Sequence, residues 1–461
     1  MANRSGLLLG LVACFLARAT TGDAAEAPGS LSRETTLYTA EQYRADLAYL
    51  RDVWAPQDRS FSSQQHERFT DAVDDALAQV DQMDFPEFWI RIAKAVALSG
   101  NGHTRVYSHP FAKLPIQAWW FSDGLYIVRA KPDLGYLLGA RIEKIGTVTA
   151  EQALARVAPL ISGNSRRVRA LSPDLLETPV ILHRLKVSAD PAATEITLRL
   201  RDGTLRRLRL AEQLAADPAE VRWDYWGVLI PGTAAQAGGW LHVLDGISLR
   251  SPAYDPAIDL STTWLGVDKR VLYVRSNQIA GIDGSDETFQ SKFYRIINNE
   301  VLQGKPRAVV VDLRLNSGGN YFNTVPYTKA LLALLPGDAK VFVLVGSTTF
   351  SAAIVTAAML KSEGGTRVAL VGSAMGDNDH FFAEGRSVEL PNTKLLVGPA
   401  SEYQDWSNGC ANLDLCYWPN VVYGPRQHVS LVPEIPIDVS FSEYASGRDP
   451  VLEAALAAAS P

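Results

Sequence analysis

Apolar positions between residues 39 and 98 recur at helical spacing. Tyr43, Leu47, Leu50 and Val53 fall on one face, and Thr39 stands where an N-cap belongs. The pattern predicts helices over 39–53, 62–80 and 85–98, the last with Pro86 in its first turn. From 106 to about 210 the period shortens, and 124–128, 141–146 and 195–200 read as strands. A short helix over 149–158, capped by Thr149, interrupts them. From Val271 onward, short apolar runs alternate with helical segments: strands at 271–274, 309–314, 341–345 and 367–371, helices at 288–302, 323–335 and 351–361. Such alternation predicts an α/β unit with a mainly parallel sheet. Residues 211–265 show no clear period. Their Trp223, Trp226, Trp240 and Trp264 read as packed core or interface rather than a ligand cage. There is no internal repeat.

A chain of 461 residues, 47% hydrophobic, can bury a large core and is expected to form more than one domain. Net charge is −6 and Lys and Arg form no long block, which argues against nucleic acid as a partner. Residues 1–19 read as an export signal, with Arg4 before an apolar run from Leu7 to Leu16 and a small-residue cleavage site at Ala17-Arg18-Ala19. That run is too short to span a bilayer, and no later segment is long and apolar enough to do so. Leu11-Val12-Ala13-Cys14 also resembles a lipoprotein cleavage box, but Phe15 and Leu16 continue the apolar run past the cysteine. Export to the periplasm or the outside is favoured, with lipid anchoring through Cys14 as the minor alternative. Two cysteines remain after cleavage, Cys410 and Cys416, and in an exported chain they predict a disulfide closing a small loop. No second ligand pair stands at metal spacing, so neither a metal nor a cofactor is expected.

Candidate chemistry gathers where two of the predicted strands end. The run Val309-Val310-Val311-Asp312 leads into Asn316-Ser317-Gly318-Gly319-Asn320, and the next strand leads to Thr349-Phe350-Ser351-Ala352-Ala353. Paired glycines let main-chain N–H groups approach a ligand closely. A serine between strand and helix has the positive end of a helix dipole behind it. Ser351 is the candidate nucleophile, with the N–H of Ala352 and that of Gly318 or Gly319 as oxyanion donors. No G-x-S-x-G elbow surrounds Ser351, which disfavours an ordinary α/β-hydrolase. Of the seven histidines, His66, His109, His183, His242 and His428 read as solvated or structural. His103 follows Gly100 and Gly102 just after a helix, where the backbone can set an imidazole into a cleft. His380, in Asp377-Asn378-Asp379-His380, is its rival for the role of base. That acidic stretch also suggests a metal site, but adjacent residues on one loop rarely converge and the ligand set is incomplete.

The segment 311–320 followed by Ser351 resembles the S41 peptidases, the tail-specific and tricorn-core family. So do Gly100-Asn101-Gly102-His103-Thr104, which departs from that family's Gly-Asp-Gly-His-Thr pattern at Asn101, and the closing segments 432–439 and 444–452. The resemblance implies a crotonase/ClpP-like ββα core and a serine peptidase acting on peptides or proteins. One branch of the family uses a lysine after the nucleophile helix as base. The matching stretch here, 371–378, has none, and Lys361 and Lys394 fall elsewhere. The tricorn-like branch uses Ser, His and Glu, which implies Ser351, His103 and Glu402, with Asp405 as the reserve acid. Leu138-Gly139-Ala140 to Ile145-Gly146 resembles a strand pair of a peptide-binding PDZ-like module. The expected organisation is a signal peptide (1–19), a linker (20–38), a helical unit (39–110), a small β-rich middle domain (111–212), a connecting region (213–265) and an α/β catalytic core (266–461). A non-catalytic binding protein on the same scaffold and an esterase using the same triad are the alternatives.

Overall fold

A computed structural model describes residues 38–107, 109–213, 228–232, 239–249, 251–256, 260–279 and 289–460. The expected signal peptide, the expected linker up to residue 37, Cys14, Trp223 and Trp226 lie outside the described residues.

The C-terminal half is built on a six-stranded sheet in the spatial order Ile435–Pro436, Val368–Gly372, Lys340–Val345, Ala308–Asp312, Val271–Arg275, Ser261–Leu265. The first five strands run parallel, and Ser261–Leu265 adds an antiparallel edge. Parallel strands are covered on both faces, so their sequences read as continuous apolar runs. On one face Leu272, Val309, Val311, Val341 and Val343 pack under the helices Val325–Leu334 and Ala352–Gly364. On the other, Tyr273, Val310, Phe342 and Leu344 meet the C-terminal helix Pro450–Ala458. Nearly every residue of these strands is buried, each aliphatic one contributing about 1.5–3 kcal/mol.

The N-terminal helices Ala40–Tyr49, Ser63–Ala78 and Phe85–Ala97 lie within the ranges that the apolar spacing predicts, the first starting after the expected cap Thr39. Thr39 and Ser62 each close a capping box, and Asp84 accepts from Glu87 N–H. The first helix loosens into a π-type turn over Leu50–Trp54. An antiparallel sheet follows in the order Ile116–Phe121, Gly124–Ala130, Arg141–Ile145, Ala193–Arg199, Leu205–Ala211. Helices Ala150–Val157, Ser165–Leu176 and Pro179–Arg184 accompany it. The second of these carries Arg166, Arg167 and Arg169 near its start and Pro173 inside, a pattern that hides it from a periodicity reading. The N-terminal helices and this sheet share one hydrophobic core, in which Trp54, Phe88 and Ile92 meet Ile127, Ile142 and Ile196.

Two distant sequence motifs meet at the C-terminal ends of the parallel strands. Arg314 bonds Asp312 at 2.6 Å and Asp449 at 2.6 and 2.8 Å. Tyr273 Oη donates to Asp312 at 2.7 Å, and Ser251 Oγ to Asp449 at 2.6 Å. Burial raises the Asp449 carboxyl, but Arg314 beside it and the hydrogen bonds it accepts hold it below the ordinary carboxylate range. This network clips the start of the last helix to the sheet.

Candidate active site

Ser351 stands between the strand Lys340–Val345 and the helix Ala352–Gly364 with φ 55° and ψ −125°. A side-chain-bearing residue seldom adopts that backbone, and such strain survives only where the surroundings hold it. Here they do. Thr349 Oγ1 donates to Leu313 O at 2.8 Å and accepts from Gly346 N–H at 2.9 Å. Phe350 N–H donates to Asn316 O at 3.0 Å. The backbone therefore forms a sharp strand-to-helix elbow without the glycines that usually mark one.

The glycine turn lies directly against this elbow. A methyl placed on Gly318, whose φ is 105°, would come within 2.7 Å of Ser351 Cβ and 3.0 Å of Ala352 N. Gly318 N–H itself donates to Asn316 Oδ1 at 2.8 Å, and Asn316, wholly buried, donates in turn to Ser276 O at 2.8 Å. Gly318 is therefore a spacer and not a free donor, a correction to the expectation from sequence. The Gly319 and Ala352 N–H groups make no hydrogen bond among the described residues.

His103 is delivered by the loop after the helix Phe85–Ala97. Gly100, at φ 65°, turns the chain out of the helix. Asn101 bonds both the N–H and the C=O of Phe382 at 3.0 Å, as a neighbouring strand would. Thr104 Oγ1 donates to the buried Asp58 at 2.7 Å, and Asp58 also accepts from Ala400 N–H at 2.8 Å. The imidazole lies between two rings, Phe350 at 4.4 Å and Phe381 at 5.0 Å. Phe350 immediately precedes Ser351, so the loop at 103 and the elbow at 351 converge.

The carboxylate facing His103 is Asp377. Its Oδ2 lies 3.6 Å from His103 Nδ1, within ion-pair reach and just too long for a hydrogen bond. Both atoms are buried and have no other partner among the described residues. Burial lowers the His103 pKa below its ordinary value, Asp377 opposes that shift, and Arg105 and Arg167 add to it. Glu402, expected in this place, instead begins the strand Glu402–Asp405, opposite Ala383 and within electrostatic reach of the exposed Glu384. Asp405, the reserve, caps its own turn by accepting from Ser407 N–H at 3.0 Å and Asn408 N–H at 2.8 Å. Neither acid is brought to the imidazole. In the sequence Asp377 is masked by its neighbours Asp379 and His380, with which it reads as an incomplete metal stretch. The usable signal was its place in the loop after the strand that follows the nucleophile helix.

Other candidates fall away from this cluster. His380 is mostly exposed and pairs with its neighbour Asp379 at 2.9 Å. Lys361 donates to Val368 O at 2.6 Å and pairs with Glu434, which fixes its amine at the edge of the sheet. Cys410 and Cys416 form a disulfide with Cα atoms 5.9 Å apart, in the loop after Glu402–Asp405. No described helix is long and apolar enough to cross a membrane.

No family model and no curated relative matches the chain. Solved structures do. Mature CPAF complexed with lactacystin matches with a TM-score of 0.59 at 13% identity, covering 91% of this chain and 98% of that one. Mature CPAF alone gives 0.57 at 13% identity, over 90% and 96%. The photosystem II D1 C-terminal processing protease gives 0.34 at 15% identity, over 87% and 94%. Across nine tenths of its length, the chain has the fold of mature CPAF.

Proposed function

We propose that the chain is an exported serine peptidase of the S41 type. Ser351 is its nucleophile, His103 its base and Asp377 the carboxylate that orients the base. The observation that carries this reading is the seating of His103 against Phe350, beside a strained serine at a helix start. Ser351 Oγ attacks the peptide carbonyl carbon while His103 Nε2 takes the hydroxyl proton. The carbonyl oxygen gains the negative charge and is held by the N–H groups of Gly319 and Ala352, assisted by the helix dipole. When the tetrahedral species collapses, the C–N bond breaks and His103 returns the proton to the leaving amine. Water then enters by the same route in reverse and frees the acid from Ser351.

His103 Nδ1 and Asp377 Oδ2 need to close by only a few tenths of an ångström to form the hydrogen bond that fixes the tautomer. Catalytic hydrogen bonds are often long without substrate and tighten when it binds. The likeness to CPAF supports the scaffold for this chemistry. In the same reading the parallel sheet and its helices (266–461) are a crotonase/ClpP-like core. Residues 39–110 form the helical unit, 111–212 a PDZ-like middle domain that meets peptide, and 213–265 the connection. Export through residues 1–19 fits the disulfide, a bond favoured in oxidising compartments.

The test is labelling by a fluorophosphonate, compared among wild type, Ser351→Ala and His103→Ala. Labelling of the wild type that both substitutions abolish is the expected result. Unlabelled wild type, or labelling that survives Ser351→Ala, ends the proposal. Lactacystin, held by CPAF in its solved complex, is a second probe. Turnover of peptides compared with simple esters separates a peptidase from an esterase.

A further inference from the structure

We propose that the cavity walled by Gly346, Ser347 and Thr348, on the loop that leads to Ser351, selects an acidic side chain on the peptide, an inference that rests on the peptidase reading above. The cavity holds about 660 Å³, a size suited to several side chains. Its walls belong to the elements that build the catalytic cluster. Gly346, Ser347 and Thr348 lie on the loop that leads to Ser351, and Arg314 and Leu315 precede the glycine turn. Arg166 and Arg169 line it from the helix Ser165–Leu176. From that same helix Arg167 lays its guanidinium over Phe350, 3.8 Å from the ring centroid.

The charges around the cavity separate into engaged and available. Arg314 is neutralised by Asp312 and Asp449, and Arg275 donates to the carbonyls of Pro252, Ala253 and Asp255. Arg169 meets Glu151 through two 3.0 Å bonds and lies 4.0 Å over Trp120. Arg166 is exposed and makes no ion pair among the described residues. Asp438, an exposed acid, also lines the cavity. Three arginines thus crowd the first turns of a helix that has no acidic residue in its first turn, so like charges meet the positive end of the dipole. A carboxylate held at Arg166 relieves that repulsion.

A second observation points the same way. Asn277 lines the cavity with a side chain only 3% exposed, and its Nδ2 has no hydrogen-bond partner among the described residues. A buried donor without an acceptor is uncommon in a folded chain. Its segment runs beside the glycine turn, with Ile279 N–H donating to Gly318 O at 3.0 Å. An acceptor-only group that enters the cavity from the scissile bond can meet Asn277 and Arg166, while Trp120 and Tyr444 cover its methylene stem.

The test uses peptides blocked at both ends that differ only in Glu, Gln or Lys at one position, moved in turn along the residues flanking the scissile bond. At one position the Glu peptide should exceed the Gln peptide by about 10- to 100-fold in kcat/KM, the range of a charge-assisted hydrogen bond. In Arg166→Glu the Glu/Gln ratio should fall to one or below, and in Asn277→Ala it should shrink. Binding of fluorescent Glu and Gln peptides to Ser351→Ala reads the pocket without turnover. Equal kcat/KM and equal affinity for Glu and Gln at every position overturn the proposal. In a parallel series with free C-termini, a Glu preference that is absent from the blocked series also overturns it, because the carboxylate recognised is then that of the chain end. Failure of the wild type to react with a fluorophosphonate counts instead against the peptidase reading, and the binding comparison still decides for the pocket.

Discussion

His103 and Phe350 stack with ring centroids 4.4 Å apart and planes 27° from parallel, and Arg167 covers the same phenylalanine at 3.8 Å. One ring thus sets the imidazole, screens it from water and leads directly into Ser351. In Phe350→Leu the imidazole loses its flat support and part of its cover. We expect kcat/KM to fall about 10- to 100-fold, as misplacement of a reacting group typically costs. The acid limb of the pH profile should move upward, toward the free imidazole value, as burial weakens. Unchanged kinetics and an unchanged profile in a folded Phe350→Leu would remove this ring from the mechanism.

The base must be neutral to accept a proton, and burial holds the His103 pKa below its ordinary value. The acid limb of kcat/KM should therefore have its midpoint below about pH 6.5. Asp377 pulls the other way, so Asp377→Asn should shift that limb further toward acid while reducing kcat/KM by about 10²- to 10⁴-fold. The sign for stability follows from the same shift. Unfolded chains protonate this imidazole first, so its contribution is complete above about pH 6.5 and is lost as pH falls through the lower folded value. A kinetic midpoint above 6.5, or an upward shift in Asp377→Asn, contradicts the assignment.

Gly318→Ala tests the closeness of the glycine turn to the elbow. The added methyl meets Ser351 Cβ at 2.7 Å, with backbone of the elbow 3.0 Å away, at a φ of 105° that disfavours any side chain. Stability should drop by about 1–3 kcal/mol and kcat by at least about a hundredfold as the oxyanion donors move. Denaturant unfolding beside fluorophosphonate labelling separates the two effects. Wild-type labelling rates in this variant would mean the turn lies farther from the nucleophile than described.

Asp449→Ala leaves the partly buried Arg314 with only one of its two carboxylates. Breaking a buried pair from one side costs about 3–5 kcal/mol, because a charge is left uncompensated. Loss of the last helix from the sheet should accompany it, seen as faster hydrogen exchange in 450–458. A change below about 1 kcal/mol would show that the network contributes little to folding.

Much of the architecture was legible in the chain. The alternation after Val271 announced the parallel sheet, because strands buried on both faces must be apolar throughout. Caps at Thr39 and Thr149 marked helix starts, because a side-chain oxygen is needed for orphan N–H groups. Ser351, the glycine pair and His103 could be singled out because local turns advertise special backbone. The helix Ser165–Leu176 was not seen, since its arginines and Pro173 give no periodic apolar signal.

By itself the sequence determined the local elements, the glycine turn and the serine at a helix start, all properties of neighbours along the chain. Only the tertiary structure decided which acid faces His103, that Gly318 N–H is occupied by Asn316, and that Arg314 reaches Asp449. The physical reason is the same in each case. A carboxylate at 377, 402 or 405 is equally plausible until the loops pack. Which one is buried against the imidazole depends on contacts between segments that carry no record of each other in their own residues.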